Sequence, residues 1–124
     1  MKSGSSMALA RLKKKLTNEN LWIYILALLR ERPMYAYEIH KLLSERFAIS
    51  IPIVMVYLVL YRMNREGLVV KSDKISVNGR PERTYYKITE KGLRTFGEGL
   101  AFIKDMLGAI ERSNLTPSDV RLDA

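Results

Sequence analysis

Apolar positions recur at helical spacing through most of this chain, and the places where that period stops divide it into elements. Leu9, Leu12 and Leu16, with Arg11, Lys13, Lys14 and Lys15 among them, predict a short basic amphipathic helix or arm. Thr17 or Asn18 is placed to cap a second helix carrying Leu21, Ile25, Leu28 and Leu29, which must stop before Pro33. A third segment, Tyr35 to Phe47, turns Ile39, Leu42, Leu43 and Phe47 inward and Glu38, Lys41, Glu45 and Arg46 outward. Ser50 followed by Pro52 opens a fourth, and Gly67 supplies its C-terminal stop. After Gly67 the period shortens to two. Leu68-Val69-Val70 begins a strand-like run, and Arg83, Tyr85 and Lys87 alternate with Thr84, Tyr86 and Ile88. Between the two runs Asn78-Gly79 predicts a tight hairpin, because both central positions of a type I′ turn take positive φ. Thr89 then caps a long last helix. Its Leu93, Phe96, Leu100, Ile103, Leu107 and Ile110 alternate spacings of three and four, a heptad-like seam.

Helix, helix, then a hairpin is the order of a winged helix-turn-helix. The fold class expected is therefore mainly α with a small β-hairpin wing, followed by a long C-terminal dimerisation helix. At 124 residues the chain should hold one modest core. Residues 1–7, rich in Ser and Gly, are expected to be a flexible leader, with Met7 as a natural start. Residues 8–90 should form the winged helix-turn-helix with its N-terminal helix. Residues 91–124 should form the dimerisation helix and a short tail, in which Thr116-Pro117-Ser118-Asp119 predicts one further turn.

Charge and composition narrow the function. A formal charge of +8 and a pI near 9.8 in so short a chain point to an anionic partner. There are no cysteines, which excludes disulfides, thiolate chemistry and cysteine-based zinc sites. His40 is the only histidine and has no partner at metal-ligand spacing, so a structural role is expected for it. Carboxylates are scattered among Lys and Arg on helix faces, and no glycine pattern suits a nucleotide phosphate. Neither catalysis nor a cofactor is expected. The longest apolar run, Leu21 to Leu29, falls far short of the ~20 residues that span a bilayer. No secretory signal is visible, and a cytoplasmic protein without membrane contact is expected.

The fourth helix offers the surface that matters. At ~100° per residue Val56, Val59, Leu60 and Met63 form a core side, and Val54, Leu58, Tyr61 and Arg65 form the opposite one. Arg62 and Arg65 can reach phosphates or guanine edges, and Tyr57 and Tyr61 can offer hydroxyls to phosphates. Ile53, Val54 and Leu58 can touch thymine methyls. In the hairpin Lys71, Lys74, Arg80 and Arg83 surround the tip, opposed by Asp73 and Glu82, a distribution suited to a phosphate strand or minor groove. A solvated hairpin and a helix buried on both sides are the structural alternatives. The seam residues Leu93, Phe96, Leu100, Ile103, Leu107 and Ile110 are expected to make a homodimer. Phe102, Met106 and Ala109 beside them suggest a pocket at its centre for a small apolar effector.

Three runs carry a family resemblance. Pro33-Met34-Tyr35-Ala36-Tyr37-Glu38-Ile39 is similar to a Pro-Leu-His-Gly-Tyr-Glu-Ile element. Tyr57-Leu58-Val59-Leu60-Tyr61-Arg62-Met63 is similar to Tyr-Pro-Ala-Leu-x-x-Leu. Gly79-Arg80-Pro81-Glu82-Arg83-Thr84-Tyr85-Tyr86-Lys87-Ile88-Thr89-Glu90-Lys91-Gly92 is similar to a wing and helix start, Gly-Arg-x-x-(Lys/Arg)-x-Tyr-Tyr-x-(Leu/Ile)-Thr-x-x-Gly. Together, over roughly residues 20 to 110, the chain resembles the PadR family of transcriptional regulators. The resemblance implies a homodimeric winged-helix repressor of double-stranded DNA, of the short type with one C-terminal helix. It also implies that Tyr57 faces phosphate and that Arg80 and Arg83 lie in the wing, and Tyr35 is a further candidate for DNA contact. Three departures stand out: Ala36 for glycine, Leu58 for proline, and Ile53-Val54-Met55 where the family has small polar residues. The last favours methyl contacts, shape readout or an altered partner. The alternative function is a winged-helix module that binds protein through Val54 and Leu58. Binding of anionic lipid through Leu9 to Leu16 is a third.

Overall fold

The chain is described from a computed structural model that covers residues 6–72 and 83–113. Five α-helices and three short strands follow one another along them: α1 (Met7–Leu16), a 3-10 turn (Asn18–Asn20), α2 (Leu21–Leu29), β1 (Met34–Tyr35), α3 (Ala36–Phe47), α4 (Ile53–Arg65), β2 (Val69–Lys71), β3 (Tyr85–Ile88) and α5 (Glu90–Ser113). The mainly helical class with a small antiparallel sheet is the one the periodicity predicts.

One core joins the elements. Leu21, Ile25, Leu26, Leu28 and Leu29 of α2 meet Ile39 and Leu43 of α3, Val56, Leu60 and Met63 of α4, and Val69 and Tyr86 of the sheet. Helix α2 is apolar nearly all round because it is wrapped by the others, and such a helix belongs at the centre of a small domain. The turn leading out of α2 is tied to α3 by two ion pairs, Glu31 with Arg46 and Arg32 with Glu38. The guanidinium of Arg46 holds the Glu31 carboxyl below its ordinary range, and Glu38 raises that of Arg32.

Several local expectations need correcting. Asn20, not Thr17 or Asn18, stands at the N-cap of α2, because residues 18–20 wind into a separate 3-10 turn. Thr17 instead ends α1, its hydroxyl donating to the Lys13 carbonyl at 2.7 Å. The sheet has a third strand: β1 pairs with β3 in the order β1-β3-β2, with Met34 opposite Tyr86 and Tyr35 opposite Tyr85. Helix α3 ends without glycine, at Ala48 with φ of 56°, and the Ile49 N–H reaches back to the Leu43 carbonyl at 3.0 Å. Burial of Ile49 holds that left-handed residue in place.

The junction between α4 and α5 is closely knit. Gly67 takes φ of 82° and stops α4, as its position predicts. Thr89 donates its hydroxyl hydrogen to the Gly67 carbonyl at 2.6 Å and accepts from the Gly92 N–H at 2.9 Å, capping α5. Lys91 reaches the Glu66 carbonyl at 2.7 Å. A Cβ on Gly92 would fall on the Leu68 carbonyl oxygen and within 2.8 Å of Ile88 Cγ1. Close packing thus explains the glycine of the Thr-x-x-Gly element. His40 is structural, with Nε2 2.7 Å from the Ile51 carbonyl, an arrangement in which the ring donates and fastens α3 to the segment before α4.

Candidate nucleic-acid interface

Pro52 sets the direction of α4. Its φ of −62° and extended ψ place it ahead of the first turn, where its missing N–H costs nothing, and its carbonyl accepts from Met55 N–H at 2.9 Å. From that start Val56, Leu60 and Met63 point into the core. The far side carries Val54, Tyr57, Leu58 and Tyr61, which are 64, 45, 41 and 58% exposed. Ile53, grouped with that face from the sequence, is half-buried and packs against the core. Arg62 and Arg65 are exposed near the helix end. The Arg65 guanidinium donates to the Tyr61 hydroxyl at 3.2 Å and lies 5.8 Å from its ring centroid, which holds the charge on the outer face.

The base of the wing adjoins this face. The Tyr35 ring meets Tyr85 edge-on at 5.5 Å, and the Arg83 guanidinium lies 4.5 Å over Tyr35. An Arg held on an aromatic face keeps its hydrogen-bonding edge free for an anion. Tyr57 of α4 meets Tyr37 of α3 in a T-shaped contact, ring centres 6.5 Å apart. Burial, and then the neighbouring Tyr57, push the Tyr86 phenol above its ordinary range. Tyr37 is exposed and was not singled out from the sequence, although the Tyr35-Ala36-Tyr37 run contains it. Lys74, Arg80 and the Asn78-Gly79 turn lie outside the described residues. Lys71 ends β2, paired with Tyr86.

On α5 the predicted seam divides in two. Phe96 is only 6% exposed and belongs to the chain's own core, with the Arg30 guanidinium 4.5 Å over its ring. Helical spacing cannot separate a residue packed on its own domain from one awaiting a partner, and here α5 still lies against α2 at that point. Contact continues to Gly99, where an added Cβ would come within 3.0 Å of Trp22. Beyond it α5 leaves the body, and Leu100, Ile103, Leu107 and Ile110 are exposed together with Phe102 and Met106; Leu93, near its start, is exposed as well. Helix α1 buries none of its residues.

A cleft of about 370 Å³ separates the 3-10 turn and α2 from α4, lined by Leu21, Trp22, Met55, Val59 and Met63 and rimmed by Glu19, Arg62 and Glu66. Among the described residues no cluster of three or more His, Cys, Asp or Glu could hold a metal. Among them, too, no helix is long and apolar enough to cross a membrane.

The transcriptional regulator PadR-like family matches over residues 25–98, more than half of the chain. No curated protein matches it. Among solved structures, a PadR-like transcription factor from Bacteroides fragilis is 26% identical, with a TM-score of 0.69 over 82% of this chain and 97% of that one. A PadR family transcriptional regulator from Eggerthella lenta is 25% identical, with a TM-score of 0.73 over 88% of this chain and 94% of the other. The Bacillus subtilis PadR in complex with operator DNA shares the fold at 23% identity, with a TM-score of 0.60 over 77% of this chain and 60% of that one.

Proposed function

The chain belongs to the PadR-like family of transcriptional regulators, and from that membership we propose that it is a homodimeric repressor that binds double-stranded DNA through α4 and the wing. The observation that carries this reading is the pair of exposed clusters, Tyr57, Tyr61, Arg62 and Arg65 on α4 with Tyr37 against Tyr57, and Arg83 stacked on Tyr35 at the sheet. Such side chains on a helix and beside a strand pair suit a helix that enters a groove and a wing that follows the backbone. The neighbouring Lys74 and Arg80 extend the positive charge by sequence. The solved Bacillus subtilis relative was captured with operator DNA, which supports the same use of the fold here.

Two protomers joined along the exposed half of α5 would present two such surfaces to half-sites about one helical turn, roughly 34 Å, apart. A small apolar effector held between the joined helices would release DNA by altering that spacing. Arg80→Ala and Arg83→Ala, both in the wing, are the test. Each should weaken binding to every duplex alike and lower the salt slope by about 1. The exposed Val54 and Leu58 favour a second reading, in which the same helix face binds a protein. Under that reading the arginine changes leave partner capture intact, and polar replacement of Val54 and Leu58 abolishes it.

A further inference from the structure

Val54, Tyr57, Leu58 and Tyr61 succeed one another at i, i+3, i+4 and i+7, so they form a single stripe along the outer side of α4. From Ile53 to Leu60 no side chain carries a charge or an amide, and Tyr57 alone bears a hydrogen-bonding group. The first cation is Arg62, in the third turn. The first two turns therefore meet a groove with two exposed aliphatic side chains, Val54 and Leu58, and one phenol. The Tyr57 ring is already engaged by that of Tyr37, and the Tyr61 hydroxyl by Arg65.

In the major groove the edges of adenine, guanine and cytosine present donors and acceptors, and thymine adds the one apolar mark, its C5-methyl. An aliphatic side chain pressed over a donor or acceptor strips its water and returns no hydrogen bond, a net loss. Pressed over a methyl, the same side chain removes apolar surface from water on both partners, a net gain. Taking the DNA-binding reading as its basis, we propose that Val54 and Leu58 read thymine C5-methyl groups. The chain then selects duplexes with thymine at the base pairs under the first two turns of α4. Arg62 and Arg65 serve phosphates or guanine beyond them.

The test uses the full chain and duplexes that it selects from a random pool. The thymines whose replacement weakens binding are located, and the duplex is resynthesised with uracil there, which lacks only the methyl. Each uracil at a read position should weaken binding about fourfold, the effect of one buried methyl group. The double variant Val54→Ala, Leu58→Ala changes only solvent-exposed side chains and should bind thymine and uracil duplexes equally. A selected duplex that binds equally well with uracil overturns the proposal, and so does a uracil penalty that persists in the double variant. A pool that yields no enriched sequence overturns the DNA-binding reading itself, a result distinct from a selected duplex indifferent to uracil.

Discussion

Tyr86 shows how one side chain serves both core and surface. Its ring is buried in the sheet, opposite Met34 and Lys71, and its phenol is held above the ordinary value by burial and then by Tyr57. A raised folded value favours the neutral form. Its contribution to stability is therefore complete below the unfolded value of about 10 and is lost as pH rises through the folded one. Urea unfolding at pH 8 and above pH 10 should show an alkaline loss that is smaller in Tyr86→Phe than in the parent. An equal loss in both would count against it. The sequence announced this residue as one of an alternating pair, and the alternation correctly set Tyr86 against Tyr85 and Lys87. The left-handed end of α3 at Ala48 was not legible, because no glycine marks it and the conformation depends on the distant burial of Ile49.

Elements were legible where a period of 3.6 or 2 ran for several turns, as in α3, α4, β3 and α5. Strand β1 escaped because two residues show no period; it exists only because β3 offers an edge next to Met34 and Tyr35. The seam of α5 was visible, but not its division at Gly99, since the approach of α2 is a tertiary fact. That approach makes a definite prediction. A Gly99→Val side chain would start 3.0 Å from Trp22 and 3.1 Å from Ile23, so those side-chain ends must give way and the γ-methyls crowd them further. A loss of about 1–3 kcal/mol is expected, visible as a lower melting temperature and as altered fluorescence of Trp22, the only tryptophan. An unchanged melting temperature together with unchanged Trp22 fluorescence would count against this contact. In the candidate interface, the positions of Tyr57, Tyr61, Arg62 and Arg65 on the outer side followed from helical geometry. The partial burial of Ile53 and the Tyr37–Tyr57 contact did not, because they depend on how α3 crosses α4.

Among the described residues of the whole molecule, α1 and the outer half of α5 each carry an exposed apolar stripe, beside a cationic, tyrosine-rich face. A ten-residue helix such as α1 is marginal in isolation, and an apolar stripe as long as that of α5 marks an interaction surface. In the proposed homodimer a second copy of the chain covers the stripe of α5. Leu107→Lys should convert a dimer to a monomer in sedimentation velocity and weaken DNA binding with it, while a variant that remains dimeric would remove α5 from the interface. Sequence-selective binding of DNA is measured by fluorescence-anisotropy titration of the protein. The duplexes are the DNA upstream of its own gene and a scrambled version, each at two salt concentrations. Saturable binding that prefers the upstream duplex, with an affinity that falls as salt rises, is the result predicted. Weak and equal binding to both duplexes, vanishing with added salt, would contradict it.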